Sequence, residues 1–180
     1  MNVIHRLFEL MITKSSKGLS IAVIGAKGYV GKGICDSLKN DSLNNLIEVT
    51  RTNYEEKRNQ AYDIVINSSM PSRRFWAKQH PIEDFEETVR KTVDLYYGWE
   101  YKKFIQISTI SSRCQLDSVY GKHKLAAEKI CNSPNTLIVR LGPMFGETLS
   151  KGVLIDMLEG KTVFIDGDSR YSFASLQFVS

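Results

Sequence analysis

Cysteine is scarce in this 180-residue chain, which has only Cys35, Cys114 and Cys131. Their odd number, their wide spacing and the lack of a Cys-x-x-Cys pair argue against a disulfide framework and against a zinc site. The histidines also lack the spacing of metal ligands; they are His5, His80 and His123. We therefore expect no bound metal and a location in the reducing cytoplasm.

Long hydrophobic runs are also lacking. The apolar segment at residues 2–13 is too short to span a bilayer. It contains Arg6 and Glu9, and it has neither a basic start nor a small-residue cleavage site, which argues against a secretory signal. We expect residues 1–18 to form an N-terminal helix and linker, with the helix packed on the domain or on a neighbouring subunit. A helix lying on a membrane surface stays an alternative, although its polar face is not cationic.

No charge of one sign dominates the chain. It has 24 Lys and Arg against 20 Asp and Glu, a net charge of +4. The basic residues occur in scattered pairs with acidic residues nearby, and no basic stripe with interleaved aromatics suggests a nucleic-acid surface. Internal repeats and low-complexity segments are absent as well. With 42% hydrophobic residues, the length and composition predict one globular domain, at residues 19–180. A small-molecule substrate is expected, with no nucleic acid and no membrane.

Hydrophobic periodicity predicts alternating strands and helices. A long helix is indicated by Ile82, Phe85, Val89, Val93 and Tyr96, which recur at steps of three and four residues. Strands are predicted at 19–24, 46–51, 62–67, 103–108, 136–141 and 163–166. Helices are predicted at 29–39, 82–99, 119–132 and around 155–158. Such alternation is typical of an α/β protein with a doubly wound, Rossmann-like parallel sheet.

A glycine motif follows the first predicted strand. Gly25-Ala26-Lys27-Gly28-Tyr29-Val30-Gly31 comes directly after Ile21–Ile24 and opens a helix. In this setting Gly25 allows a tight turn, Gly28 lets the backbone approach a pyrophosphate, and Gly31 lets the helix pack close to the strand. The free N–H groups at the start of the helix favour a bound anion. A purely structural glycine turn is the alternative.

The end of the second strand bears on the choice of cofactor. Domains that bind NAD usually have Asp or Glu there, to accept hydrogen bonds from the ribose 2′-hydroxyl. Here Glu48 comes too early, and Arg51 stands where the acid belongs. Lys27 in the glycine loop is a second cation that suits a 2′-phosphate. We expect NADP rather than NAD, although both cations could simply be exposed.

A tyrosine and a lysine stand one helical turn apart. Tyr120-Gly121-Lys122-His123-Lys124 places Tyr120 and Lys124 on one face of a helix. A nearby lysine cation lowers the pKa of a phenol, which would then exchange a proton with a carbonyl or alcohol oxygen during hydride transfer. Combined with a nucleotide cradle, the pair indicates an oxidoreductase that uses a nicotinamide cofactor. A surface Tyr and Lys on a solvated helix is the alternative.

These motifs occur in the order seen in the extended short-chain dehydrogenase/reductase superfamily, the nucleotide-sugar epimerase and dehydratase branch, which residues 19–180 resemble. Leu137–Gly146 and Lys124–Glu128 add to the resemblance. It implies a catalytic group of Tyr120, Lys124 and Thr109, with Ser108 and Ser111 as rivals of Thr109. It implies cofactor contacts at Gly25, Lys27, Gly28, Tyr29, Val30, Gly31, Arg51, Asn67, Ser68, Ser69 and Lys124. We expect action on a nucleotide-linked sugar, with Arg73, Arg74, Arg113 and Arg140 as candidates for its phosphates.

The chain departs from the family pattern in several places. Only 11 residues separate Arg51 from Asp63, so the family's third strand and helix should be shortened or missing. Thr88 stands where the family has an Asn that supports the active site. The segment from Gly167 resembles the entry to a substrate lobe, and we expect that lobe to be reduced or missing. A non-catalytic protein that binds NADP is therefore a second interpretation. Relatives dimerise through two long helices, and Val93, Tyr96 and Tyr97 could form that contact or belong to the core.

Overall fold

The computed structural model describes residues 18–40, 42–147, 149–150, 152–163 and 165–180. The helix predicted at residues 2–13 lies outside this part of the chain. A parallel sheet is built from β1 (Ser20–Ile24), β2 (Asn45–Val49), β3 (Ala61–Asn67), β4 (Glu100–Thr109) and β5 (Thr136–Leu141). Its strand order is β2-β1-β3-β4-β5. The expected doubly wound, Rossmann-like α/β fold is thereby confirmed.

Helices connect the strands. They are α1 (Tyr29–Leu38), α2 (Tyr54–Arg58), α3 (Arg74–Gln79), α4 (Pro81–Phe85), α5 (Lys91–Gly98), α6 (Ser111–Cys114), α7 (Val119–Ile130), α8 (Val153–Leu158) and α9 (Leu176–Val179). A π-helical turn, Glu86–Arg90, joins α4 to α5. Within the described part of the chain, no helix is long and apolar enough to cross a membrane.

Hydrophobic cores lie on both faces of the sheet, because successive strand residues point in opposite directions. Ile21 and Val23 of β1 pack with Ile34 and Cys35 of α1 on one face. The other core contains Ala22, Ile24, Val65, Leu95, Trp99 and Phe104. A sheet covered on both faces explains why these strands are nearly continuous apolar runs in the sequence.

The connection from β2 to β3 is short, as the spacing of Arg51 and Asp63 predicts. It contains only the five-residue helix α2, and no strand lies between Arg51 and Gln60. Asn53 stabilises the turn before α2, because its Oδ1 accepts a hydrogen bond from the Thr50 backbone N–H at 2.8 Å. The edge of the sheet beside β2 therefore carries no further strand from this connection.

The strand predicted at residues 163–166 is wrong. Val163, Ile165 and Asp166 are not in a strand. A second small parallel sheet pairs β6 (Met144–Phe145) with β7 (Ala174–Ser175) instead. Val163 and Ile165 line a cavity of about 430 Å³ together with Leu154 and Met157 of α8. Their apolar side chains therefore line a cavity and do not belong to a sheet.

The long helix predicted at 82–99 is present from Pro81 to Gly98, but its apolar periodicity marks the buried face only in part. Val89 is buried, whereas Ile82 is 72% exposed and Phe85 and Val93 are also exposed. Asp84, Thr88 and Thr92 are buried, as described below for the site, and so is Leu95. The π-helical turn adds a residue to the helix, which changes the face that later residues present.

Candidate active site

The glycine loop forms a tight turn between β1 and α1. Gly25 has a φ of +82°, a conformation that favours glycine. A Cβ atom at Gly31 would lie 2.2 Å from the Gly25 carbonyl oxygen, so only glycine lets α1 pack this closely. Both observations agree with the roles that the motif assigns to these two residues.

The start of α1 offers an anion site. Gly28 is the N-cap residue, and no side chain caps the helix. The backbone N–H groups of the first turn are therefore available to a ligand, and the helix dipole favours negative charge there. A Cβ at Gly28 would contact only the Gly25 carbonyl oxygen, at 3.2 Å, so the backbone is open to a close approach. This geometry fits a dinucleotide pyrophosphate.

The end of β3 lies against the glycine loop. Ser68 donates from its Oγ to the Ile24 carbonyl oxygen at 2.8 Å, which ties β3 to the end of β1. Ser69 is so close that a Cβ at Gly25 would lie 2.8 Å from its Cα. Asn67 is fully buried and donates to Gln106 Oε1 at 3.0 Å. β1 and β3 are neighbours whose connections run in opposite directions, and ligands bind at such a point in open α/β sheets.

The structure gives different surroundings to the three residues that bear on the choice of cofactor, Glu48, Arg51 and Lys27. Glu48 forms an ion pair with Lys39, with 2.6 Å between Oε1 and Nζ. Arg51 is 85% exposed at its side chain and lies 3.5 Å from Glu87 Oε2. Lys27 is exposed. The end of β2 therefore presents a cation rather than a free carboxylate.

Tyr120 and Lys124 are both buried, at 6% and 3% exposure. The Lys124 Nζ lies 5.1 Å from the centroid of the Tyr120 ring, a cation–π distance. The first turn of α7 begins at Ser118, whose Oγ accepts a hydrogen bond from the Gly121 N–H at 3.0 Å. A Cβ at Gly121 would lie 2.0 Å from the Gln115 carbonyl oxygen, so glycine beside Tyr120 lets α7 pack on the preceding turn.

The pKa of Tyr120 is shifted in the direction opposite to the one that the sequence predicts. Burial raises the pKa of Tyr120, and the Arg74 charge and a hydrogen bond with Thr109 only partly oppose that effect. Burial lowers the pKa of Lys124 to about 7, against the opposing charge of Asp84. The predicted lowering of the Tyr120 pKa by Lys124 is therefore wrong for the protein without ligands, because desolvation dominates both groups.

Of the hydroxyl residues after β4, Thr109 is the one that interacts with Tyr120. Its Oγ1 also accepts a hydrogen bond from the Ser111 N–H at 3.3 Å. Ser108, the first rival, donates to Glu128 Oε1 at 2.6 Å and so points to a different network. The geometry favours Thr109 over Ser108 as the hydroxyl beside Tyr120.

Sequence reasoning missed two residues next to this pair. Asp84 of α4 is fully buried, and its Oδ2 lies 2.7 Å from Nδ1 of His123, which is part of the Tyr-x-x-x-Lys segment. Among the described residues, its Oδ1 has no hydrogen-bond partner, nor does Oγ1 of Thr88 four residues later. Nothing in the apolar periodicity marks Asp84. The position of His123 directly before Lys124 is the one signal that could have drawn attention to the pair.

Arg140 has a structural partner. Its guanidinium donates to both oxygens of Glu128, at 2.7 Å from Nη2 and 3.0 Å from Nε. Glu128 is 2% exposed and also accepts from Ser112. The expectation that Arg140 binds substrate phosphates is therefore corrected, because its donors face Glu128. Arg73, Arg74 and Arg113 are exposed.

Among the described residues, no group of three or more His, Cys, Asp and Glu side chains could hold a metal ion. The site consists instead of a glycine loop at the end of β1 and a buried Tyr–Lys pair on α7. Together they form a candidate site at one edge of a Rossmann-like sheet.

Solved structures share this fold. A dTDP-4-dehydrorhamnose reductase from Clostridium acetobutylicum superposes with a TM-score of 0.66 at 18% identity, over 78% of this chain and 58% of that one. A UDP-glucose 4-epimerase from Thermotoga maritima, solved with UDP-glucose, gives 0.66 at 16% identity, over 87% and 69%. A dTDP-4-dehydrorhamnose reductase from Bacillus anthracis, in complex with NADP, gives 0.63 at 16% identity, over 79% and 59%.

The chain thus spans about three fifths of the length of these reductases. No family model and no curated protein matches its sequence. At these identities the likeness shows a shared fold.

Proposed function

We propose that this chain is the nucleotide-binding and catalytic part of an NADP-dependent enzyme of the extended short-chain dehydrogenase/reductase superfamily. The observation that carries the proposal is the buried Tyr120–Lys124 pair, with Thr109 beside it, at the same edge of the sheet as the glycine loop. The parallel strands all end at this edge, so one extended cofactor could reach from the loop to the pair.

The cofactor would be held by residues at the ends of three strands. The backbone of Gly28, Tyr29, Val30 and Gly31 at the start of α1 would bind the pyrophosphate. Arg51 and Lys27 would bind the 2′-phosphate, which favours NADP over NAD. Asn67, Ser68 and Ser69 would line the side of the cleft along β3, and Lys124 would contact the ribose. The similar reductase from Bacillus anthracis is itself in complex with NADP.

In this proposal Tyr120 exchanges a proton with the reacting oxygen of the substrate. The cofactor supplies hydride transfer when it is bound. Thr109 orients the reacting oxygen, and the Lys124 ammonium stabilises the phenolate that Tyr120 becomes when it gives up its proton. Burial lowers the pKa of Lys124 to about 7 and so favours the neutral amine over the ammonium. An anionic cofactor beside Lys124 would favour its charged form.

The proposed substrate is a nucleotide-linked sugar with a carbonyl or hydroxyl group. The similar structures are named for dTDP- and UDP-linked sugars, and one of them is solved with UDP-glucose. Arg73 and Arg113 stay candidates for the substrate phosphates, since both are exposed and neither has an ion-pair partner among the described residues. Arg140 is left out of this set because of its pairing with Glu128.

The experiment is a fluorescence titration with NADPH and NADH, followed by a turnover screen with dTDP- and UDP-linked 4-keto sugars. Arg51→Asp should weaken NADPH binding at least about tenfold and NADH binding much less, since one charge-assisted contact is worth about 1.5–3 kcal/mol. Lys129→Asp, the same charge change on an exposed part of α7, is the control. Equal losses for both nucleotides would contradict the 2′-phosphate assignment.

Tyr120→Phe should abolish turnover and leave NADPH affinity within about twofold, because the phenol hydroxyl does the proton transfer but does not hold the cofactor. Tyr97→Phe removes a hydroxyl from a tyrosine that is exposed on α5 and should change neither quantity. Turnover that survives in Tyr120→Phe would rule out the catalytic role.

A second candidate function is NADP binding without catalysis. Two observations favour it: the raised pKa of Tyr120, and Thr88, whose buried Oγ1 has no partner where relatives have a supporting Asn. Tight NADPH binding together with no turnover on any nucleotide-linked sugar would support this alternative. No binding of either nucleotide would contradict both candidates.

A further inference from the structure

We infer that Asp84 is a positioning residue for the Lys124 ammonium: its buried carboxylate, held by His123, is the counter-charge that favours the charged form of the lysine beside Tyr120. The structural part of this inference concerns only the two charges. Its catalytic consequence rests on the proposed function.

The position of Asp84 supports this role. It lies on α4, which packs against α7, the helix that carries Lys124. Its side chain is fully buried, as the side chain of Lys124 nearly is. Charged side chains are rarely buried so completely without a compensating charge. A buried carboxylate and a buried ammonium in one helix interface compensate each other.

His123 holds one end of the carboxylate. Its Nδ1 lies 2.7 Å from Asp84 Oδ2, and its ring packs edge-on against Phe85 at 5.7 Å. The other carboxylate oxygen, Oδ1, is buried and accepts no hydrogen bond from the part of the chain that the structure describes. Asp84 therefore has one oxygen anchored in a fixed place and one whose negative charge is not neutralised by a hydrogen bond.

Few other charges act on the pair. Asp84 is the charged group that opposes the effect of burial on the pKa of Lys124. Arg74 at the start of α3 is exposed and acts on Tyr120, as Asp84 also does. Among the described residues, the charges that act on Tyr120 or Lys124 are thus Asp84 from α4 and Arg74 from α3, and His123 of α7 contacts Asp84. No direct ion pair joins Asp84 to Lys124, so the carboxylate acts through its field in a poorly solvated interior.

Lys124, Asp84 and His123 therefore have different roles beside Tyr120. Lys124 stabilises the phenolate only while it is protonated, and burial alone favours the neutral amine. Asp84 opposes burial, and His123 keeps the carboxylate in place. Replacing the carboxylate by an amide of the same shape should leave the fold intact and release the proton from Lys124 more easily.

The structural test is an NMR titration of Lys124 in protein labelled at the lysine side chain, with the Lys124→Met variant identifying the signal. Asp84→Asn should lower the midpoint of Lys124 by at least about one pH unit, a tenfold change in proton affinity. Asp94→Asn, on the exposed side of α5, is the matched control and should leave it unchanged. An unchanged midpoint in Asp84→Asn would overturn the inference.

A second variant tests whether a general disruption of the helix interface, rather than the lost charge, lowers the Lys124 midpoint. His123→Gln keeps the Asp84 charge and should not lower the Lys124 midpoint. A drop as large as the one in Asp84→Asn would show that loosened packing, rather than the lost charge, is responsible, and would overturn the inference. Neither titration requires cofactor or substrate, so it decides the structural role even if the proposed function fails.

The catalytic consequence is read from the pH dependence of kcat with NADPH and an active sugar substrate. Activity that needs the ammonium is lost as the pH rises through the pKa of Lys124. Asp84→Asn should therefore move this loss of kcat to lower pH by about one unit. Asp84→Glu should return it to the wild-type pH. A profile that only scales down without moving would contradict the positioning role. A wild-type protein without turnover would instead contradict the proposed enzyme.

Discussion

The ion pair between Glu128 and Arg140 provides a quantitative test of how the site is supported. Glu128 is almost completely buried and receives hydrogen bonds from Arg140, Ser108 and Ser112. It thereby joins α7 to β4, α6 and β5, because Ser108, Ser112 and Arg140 lie on those three elements. Removing Arg140 leaves a buried carboxylate that only two serine hydroxyls compensate.

The expected loss of folding stability in Arg140→Met follows from how deeply the ion pair is buried. Removing one member of a fully buried ion pair costs about 3–5 kcal/mol. The Arg140 side chain is 34% exposed, so water screens part of its charge and we expect about 2–3 kcal/mol for Arg140→Met. For a domain of this size that corresponds to a fall in Tm of roughly 4–12 °C. Urea unfolding followed by circular dichroism measures the free-energy difference directly.

The pH dependence of this difference has a definite sign. Burial raises the pKa of Glu128, but the hydrogen bonds from Arg140, Ser108 and Ser112 together with the Arg140 charge outweigh burial, so the folded-state pKa is lowered. The stabilisation is therefore complete above the unfolded-state pKa, about 4.3, and is lost as the pH falls through the lower folded-state value. The gap between wild type and Arg140→Met should be largest near neutral pH and should shrink in acid.

Two variants sharpen the test. Lys129→Met removes an exposed cation from the same helix and should change stability by less than about 0.5 kcal/mol. The double variant Glu128→Gln with Arg140→Met removes both charges and should recover much of the loss, since an uncompensated buried charge causes it. A cost below about 0.5 kcal/mol for Arg140→Met, or a cost that does not vary with pH, would refute the reasoning.

The remaining predictions concern the glycine loop and the outer face of the long helix. Gly31→Ala should destabilise the fold by about 1–3 kcal/mol and weaken NADPH binding, because its Cβ would lie 2.2 Å from the Gly25 carbonyl oxygen. Gly167→Ala, where a Cβ meets nothing within 4 Å, is the control in urea unfolding, and equal effects would contradict the close packing of α1. If the chain dimerises through its long helices, Tyr97→Asp should yield monomers in sedimentation velocity. Met157→Asp changes an exposed apolar residue on α8 and should leave the dimer intact. A wild-type protein that sediments as a monomer would contradict the dimer.

The sequence predicted the sheet well because buried parallel strands are short apolar runs with little ambiguity. Ile21–Ile24 and Ile64–Ile66 belong to strands that the structure confirms within one or two residues. The glycine spacing likewise indicated the turn at Gly25. The strand prediction at Val163 was wrong because a short apolar run does not distinguish a strand from the lining of a cavity: Val163 is half-buried and Ile165 is exposed, and both line the cavity beside α8.

The charges around Tyr120 could not be predicted, because they depend on which side chains meet across α4 and α7. The Tyr-x-x-x-Lys spacing indicated a close pair, and the distance from Lys124 to the Tyr120 ring agrees with it. The direction of the Tyr120 pKa depends on desolvation, which a sequence pattern does not contain. The pairing of Arg140 with Glu128 was equally hidden, since the two residues lie on different elements, α7 and β5.

The long helix shows why the functional face was the hardest to find. Of the residues that its hydrophobic periodicity selects, Val89 is buried and Tyr96 packs on the core, but Ile82, Phe85 and Val93 are exposed. The polar residues Asp84, Thr88 and Thr92 are buried. A helix that buries polar groups breaks the rule that burial follows hydrophobicity, and such exceptions concentrate at functional sites. The exposed apolar positions then suit a partner surface, and the buried polar ones suit a supporting role behind Tyr120 and Lys124. One helix would in this way serve both the assembly and the active site through two different faces.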